Sequence, residues 1–220
     1  MGLIMDSHLL LTILSGLCWT IVYIDGIRIG IKDKSYAIPF WALALNLAWE
    51  LLYAVHGYGE YGLKPQTIIN AIWFVFDIGI FYTYFRHGLK YFPKNIKPGW
   101  FYIWGILGLL TAFVLQSLFI QEFGLHAGAK YSAFLQNLLM SILFIVMLVQ
   151  RGSREGQSLL IAVNKWVGTL APTILYGILA KQPSTFVLAI GIMISFFDMI
   201  YILMLARTKN LTQSHGFTPG

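Results

Sequence analysis

Three carboxylic acids lie in almost wholly apolar surroundings: Glu50 in NLAWELLY (46–53), Asp77 in NAIWFVFD (70–77) and Asp198 in SFFDMIY (195–201). Each segment reads as helix, and the spacing of its polar residues puts them on one face. These stripes are Asn46, Glu50 and Tyr53; Asn70, Trp73 and Asp77; and Ser195, Asp198 and Tyr201. A carboxylate at the centre of a membrane span costs roughly 2.5–3.5 kcal/mol on insertion scales, so an acid kept there asks for a function. Desolvation favours the neutral carboxyl, and a carboxyl that keeps its proton near neutrality is what a general acid needs.

The elements that carry these acids are membrane spans. The 220-residue chain is 58% hydrophobic and only 11% charged, a balance unlike that of a soluble domain. Apolar runs long enough to cross a hydrocarbon core recur near 8–24, 37–55, 66–85, 99–120, 130–150, 158–179 and 184–205. Pro39, Pro65, Pro98 and Pro183 mark four of their starts, where proline is tolerated. The expected fold is therefore all-α, a polytopic integral membrane bundle of seven transmembrane helices over 1–207, with a short polar, mobile tail at 208–220. The N-terminus lacks a basic region and a small-residue cleavage site before its first apolar run, which is read as a retained helix.

The formal net charge of +6 reflects topology better than a nucleic-acid surface, because no basic stripe or recognition motif accompanies it. Arg28, Lys32, Lys34, Arg86, Lys90, Lys94, Lys97, Arg151, Arg154, Arg207 and Lys209 fall in the loops after the first, third and fifth spans and in the tail. The opposite side carries only Lys64, Lys130 and Lys181. The positive-inside rule then predicts a cytosolic C-terminus and an N-terminus outside. Cys18 is the only cysteine, so no intrachain disulfide can form.

One buried acid alone could serve as interhelical glue. Three on three helices cannot all be neutralised, since Lys165 is the only cation inside a span, and from near the start of the sixth span it can also snorkel to the interface. Most of the 7 Trp, 12 Tyr and 16 Phe suit interfacial belts and lipid contact, Tyr102 and Trp104 among them. Those beside the acids, Trp49, Tyr53, Trp73, Phe74, Phe76, Phe196, Phe197 and Tyr201, could instead wall a pocket whose π faces attract a cation. No magnesium-diphosphate motif, Walker loop, HExxH or GxSxG occurs, and the five histidines are scattered, so no metal or other cofactor is expected.

The segment Trp49–Tyr53, the trio Asn70, Trp73 and Asp77, and Phe197-Asp198 with Tyr201 together resemble the membrane-bound terpene cyclases of fungal meroterpenoid and indole-diterpene biosynthesis, which have bacterial relatives. The resemblance covers most of the chain. It implies a metal-independent cyclase acting on a hydrophobic prenylated aromatic compound, commonly one with a terminal epoxide, made upstream by a prenyltransferase and an epoxidase. It also implies that Glu50 and Asp198 are the essential acids. Asp77 joins them as a candidate, with Asn46, Trp49, Tyr53, Asn70, Trp73, Phe197 and Tyr201 as substrate-binding residues. The spans set Glu50 and Asp198 apart in depth by ~13 Å, with Asp77 between them as a possible bridge, so donor and base are not assigned individually. A proton-coupled transporter, which Pro172 inside the sixth span would suit, and a scaffold whose acids are dispensable are the competing readings.

Overall fold

A computed structural model describes residues 2–208, with side chains from Ser7; the polar tail beyond lies outside the described residues. The described chain is all-helical, in the order α1 (Gly2–Lys32), α2 (Phe40–Tyr61), α3 (Pro65–His87), α4 (Gly99–Arg151), α5 (Leu159–Ile174) and α6 (Thr185–Arg207), with a short 3-10 turn at Gly88–Tyr91. Sequence punctuation sets the ends. Pro65 opens α3, Ser158 and Ser184 cap α5 and α6 by accepting from the Ile161 and Val187 amides, and Gly152 closes α4 in the left-handed region.

Five helical segments are long and apolar enough to cross a membrane: Ser7–Lys32, Pro65–Tyr91, Gly99–Arg151, Leu159–Leu179 and Thr185–Arg207. α2 is not among them, because it carries Asn46, Glu50, His56, Gly57, Gly59 and Glu60. The expected fourth and fifth spans, 99–120 and 130–150, run together as α4. Gly124, at φ 73° and ψ 171°, breaks it into arms at 99–123 and 125–151, so the connection is one residue rather than a loop. The first helix continues eight residues past its expected end at 24. Asp25 is buried in it but accepts from Arg28 Nε at 2.7 Å and from the Ser158 hydroxyl at 2.6 Å, which offsets its burial.

The helices close into a ring in the spatial order α1, α3, α2, α4, α6, α5, each packed on the next. α2 is the most enclosed member, with Ala42, Leu43, Ala44 and Ala48 fully buried. Small residues permit the close approaches: Gly105 and Gly108 of the first α4 arm seat Phe85 and Phe40. Exposed Leu9, Ile13, Leu17, Val75, Leu107, Val114, Ile192 and Leu203 give the ring an apolar outer face.

Pro172 leaves a mark on α5. Lacking an amide hydrogen, it cannot bond the carbonyl of Gly168 four residues back, and the helix ends in a π turn at Leu175–Leu179. Ser15 of α1 donates to that orphaned Gly168 carbonyl at 2.7 Å. Gly168 allows the approach, since a Cβ there would meet Trp19 at 3.0 Å. Ser15→Ala should therefore destabilise the protein by about 1–3 kcal/mol and be nearly neutral in a Pro172→Ala background, where the new amide reclaims the carbonyl. Thermal melting of the four solubilised proteins checks this, and additive effects would contradict the pairing.

Candidate active site

The polar stripe of α2 faces the inside of the ring. Asn46, Trp49, Glu50 and Tyr53 line a cavity of ≈870 Å³, joined by Asn70 and Trp73 of α3 and by Ser15, Trp19 and Tyr23 of α1. The second arm of α4 contributes Gln136 and Asn137, and α5 contributes Thr169 and Pro172.

Within this wall, and reaching behind it to Gln116 and Asp77, a hydrogen-bond relay runs in one direction. Gln116 Nε2 donates to Gln136 Oε1 at 2.7 Å, and Gln136 Nε2 donates to Asn46 Oδ1 at 3.3 Å. Asn46 Nδ2 then donates to Asp77 Oδ2 at 2.9 Å and to the Tyr23 hydroxyl at 2.6 Å, and that hydroxyl donates to Glu50 Oε1 at 3.0 Å. Each carboxyl thus receives one donor. Glu50 Oε2 and Asp77 Oδ1 are buried with no hydrogen-bond partner, and no ion pair among the described residues involves either acid.

Two of the cavity's indoles have their N–H groups tied off. Trp73 Nε1 donates to the Thr20 hydroxyl at 3.1 Å and Trp49 Nε1 to the Ala129 carbonyl at 3.2 Å. Tyr23 stacks on Trp73 with centroids 5.6 Å apart, and Trp49 lies 4.8 Å from Tyr53. With both indole N–H groups occupied, these rings offer π surface, the part that attracts a cation.

Asp198 has a different environment. Lys165 Nζ reaches its two oxygens at 2.8 and 2.9 Å and also donates to the Ser141 hydroxyl at 2.7 Å. Lys165 is fully buried, so the expectation that it could snorkel to the interface is corrected: Asp198 on the neighbouring helix holds it inside. Asp198, Phe197 and Tyr201 do not line the cavity. Tyr201 donates to Gln157 Oε1 at 3.1 Å and packs on Phe144, while Phe197 is half-buried beside Phe196. Asp77 sits one residue behind the wall and is joined to Glu50 through Asn46 and Tyr23, rather than bridging Glu50 to Asp198. Glu50 and Asp198 are not partners.

A family model described as Pyr4-like transmembrane terpene cyclases matches residues 5–211, nearly the whole chain. The chain belongs to this family of membrane-integral enzymes. It is 32% identical over 171 residues to the Pyr4-family terpene cyclase mfmH of Annulohypoxylon moriforme, covering 76% of this chain and 68% of that protein. It is 31% identical over 173 residues to the terpene cyclase ascF of Acremonium egyptiacum, covering 70% and 61%, and 30% identical over 165 residues to macJ of Penicillium terrestre, covering 73% and 62%. The matches thus span roughly two thirds of these relatives' own lengths. No solved structure matches.

Several residues of this family member's site escape a sequence reading. Ser15, Trp19 and Tyr23 recur every four residues, a helical stripe hidden in what reads as a plain apolar span. Gln116 is a lone amide in a long apolar run and Gln136 stands beside Asn137 in another, and only the pairing of the two glutamines across the two arms of α4 reveals the relay. The contrast between the two acid environments yields a stability prediction. Lys165→Met leaves the Asp198 charge buried and unpaired and should cost about 3–5 kcal/mol, whereas the Lys165→Met/Asp198→Leu pair should recover most of it. Equal melting temperatures for wild type and Lys165→Met would contradict the buried ion pair.

Proposed function

We propose that this chain is a terpene cyclase that protonates the terminal epoxide of a prenylated aromatic, meroterpenoid-type precursor and guides its cationic cyclisation without a metal. The observation that carries this reading is an uncompensated carboxyl, Glu50, on the wall of an aromatic cavity. In this mechanism the neutral Glu50 carboxyl donates its proton to the epoxide oxygen as the C–O bond breaks, and the first alkene attacks the developing cation. The faces of Trp19, Trp49, Trp73, Tyr23 and Tyr53 stabilise the travelling charge. Loss of a proton from the last cation, or closure by an internal nucleophile with loss of its proton, regenerates the acid and makes the product an isomer of the substrate. Water would quench the cation early, so a wall rich in aromatic rings suits the task.

Asp77 is proposed to act through Asn46 and Tyr23, fixing the Glu50 carboxyl, with Asn70 helping to shape the α3 wall. Asp198, held by Lys165, is assigned to anchoring α6 on α5 rather than to proton donation, with Phe197 and Tyr201 supporting that helix. The substrate requires prenyl transfer and epoxidation beforehand, the reactions of an upstream prenyltransferase and epoxidase.

Seven membrane crossings are the architecture we infer. The α4 arms 99–123 and 125–151 each exceed the ~20 residues a span needs, and the 22-residue α2 is long enough too, with residues 40–54 enclosed by its neighbours. The distribution of Lys and Arg supports an N-terminus outside and a cytosolic C-terminus.

Membranes containing the protein, incubated with epoxidised and non-epoxidised prenyl-aromatic compounds, should yield an isomer of equal mass from the epoxide. Glu50→Gln should lower that yield by about a hundredfold or more at normal membrane insertion. Full activity in Glu50→Gln would sink the assignment, and proton-driven solute uptake without any isomer would support transport instead.

A further inference from the structure

The cavity has a second charged end. Lys64, exposed at the start of α3, and Lys130, half-buried just beyond the Gly124 break, both line it, beside His126, Tyr61 and Gln66. The side of the protein predicted to face outward carries few cations, yet two of them, Lys64 and Lys130, converge on this one opening. Neither is in an ion pair among the described residues. The neighbouring Glu60 instead accepts a hydrogen bond from Tyr61, and the Lys130 ammonium lies 5.1 Å from the centre of the Tyr131 ring. The first turn of α3, which has no acid and no side-chain cap, adds the positive end of its dipole to the same opening. Glu50 is the only acid among the residues lining the cavity, and Tyr61 at the mouth is about 16 Å further along α2.

We propose that the ligand of this cavity carries an anionic head, a carboxylate or an acidic phenol, held at the mouth by Lys64 and Lys130 while its prenyl tail runs inward to Glu50. The charge distribution sets the orientation. Reversed, the ligand would bury its negative head deep in the aromatic interior, away from Lys64 and Lys130, and leave an apolar tail among ammonium groups, both unfavourable. This rests on the cyclase reading for what happens to the tail, but not for how the head is bound. It selects acids over their esters as the substrate class, and it predicts that binding of the head is weakened by salt.

The test uses the full-length protein in discs of purely zwitterionic lipid. The probes are a farnesylated aromatic carboxylic acid without an epoxide and its methyl ester, followed by tryptophan fluorescence, since Trp19, Trp49 and Trp73 line the cavity. The acid should bind about twentyfold more tightly than the ester. Lys64→Gln and Lys130→Gln should each reduce that preference about fivefold, and the double variant should bind both probes alike. Equal affinities in the wild type, or a preference that survives in the double variant, would overturn the proposal. Displacement of acid and ester alike by added anionic phospholipid would also overturn it, by assigning the lysines to a lipid headgroup. Because the probes cannot cyclise, a head-group preference without isomer formation from the epoxide refutes only the cyclase reading, and isomer formation without the preference refutes only this one.

Discussion

A carboxyl inside a membrane protein must be paired, neutral or removed, and much of this structure follows from how its inner acids meet that constraint. Asp198 is paired, with both oxygens on the Lys165 ammonium and Ser141 sharing the same cation. Asp25 is paired as well, through Arg28 and the cap of α5. Glu50 and Asp77 are not: they receive one neutral donor each, from a relay that begins at Gln116 and passes through Gln136, Asn46 and Tyr23. A donor chain of amides and a phenol orients a carboxyl without supplying a charge that would hold it ionised. That distinction separates the acids held by a cation from the two, Glu50 and Asp77, that have none.

The ring of helices serves the same end. The relay needs α1, α2, α3 and both arms of α4 in contact, and the closed order of packing supplies each neighbour. The Gly124 break lets Gln116 and Gln136, one on each arm, meet at 2.7 Å. α2, which carries the polar stripe Asn46, Glu50 and Tyr53, is also the helix most enclosed by others, so the cost of that stripe is borne inside protein.

How much of this the residues announce depends on what carries the information. Helical spacing alone brings Asn46, Glu50 and Tyr53 to one face, and all three line the cavity; Asn70 and Trp73 do likewise. Asp77 shares their stripe, at an angle between those of Asn70 and Trp73, but it sits about 10 Å further along α3 than Asn70, where it meets Asn46 outside the cavity lining. The partition of acids between pairing and isolation is not local. It depends on Lys165 meeting Asp198 from another helix, and nothing in the run around Lys165 says whether it turns inward or toward the interface. The amides of α4 and Tyr23 were hidden for a related reason, since an uncharged polar residue in an apolar run is cheap enough to need no explanation. Glu50 and Asp198, which depth along the expected spans sets apart, have separate hydrogen-bond partners.

The central claim is that acid chemistry takes place at Glu50, inside the cavity and away from Asp198. A prenyl-aromatic analogue with a photoreactive group in place of the epoxide tests it most directly, with the cross-linked peptides mapped by mass spectrometry. The account predicts labelling at Glu50 and its cavity neighbours Tyr23, Trp49 and Tyr53. Labelling concentrated on α6 at Phe197, Asp198 or Tyr201 would contradict it.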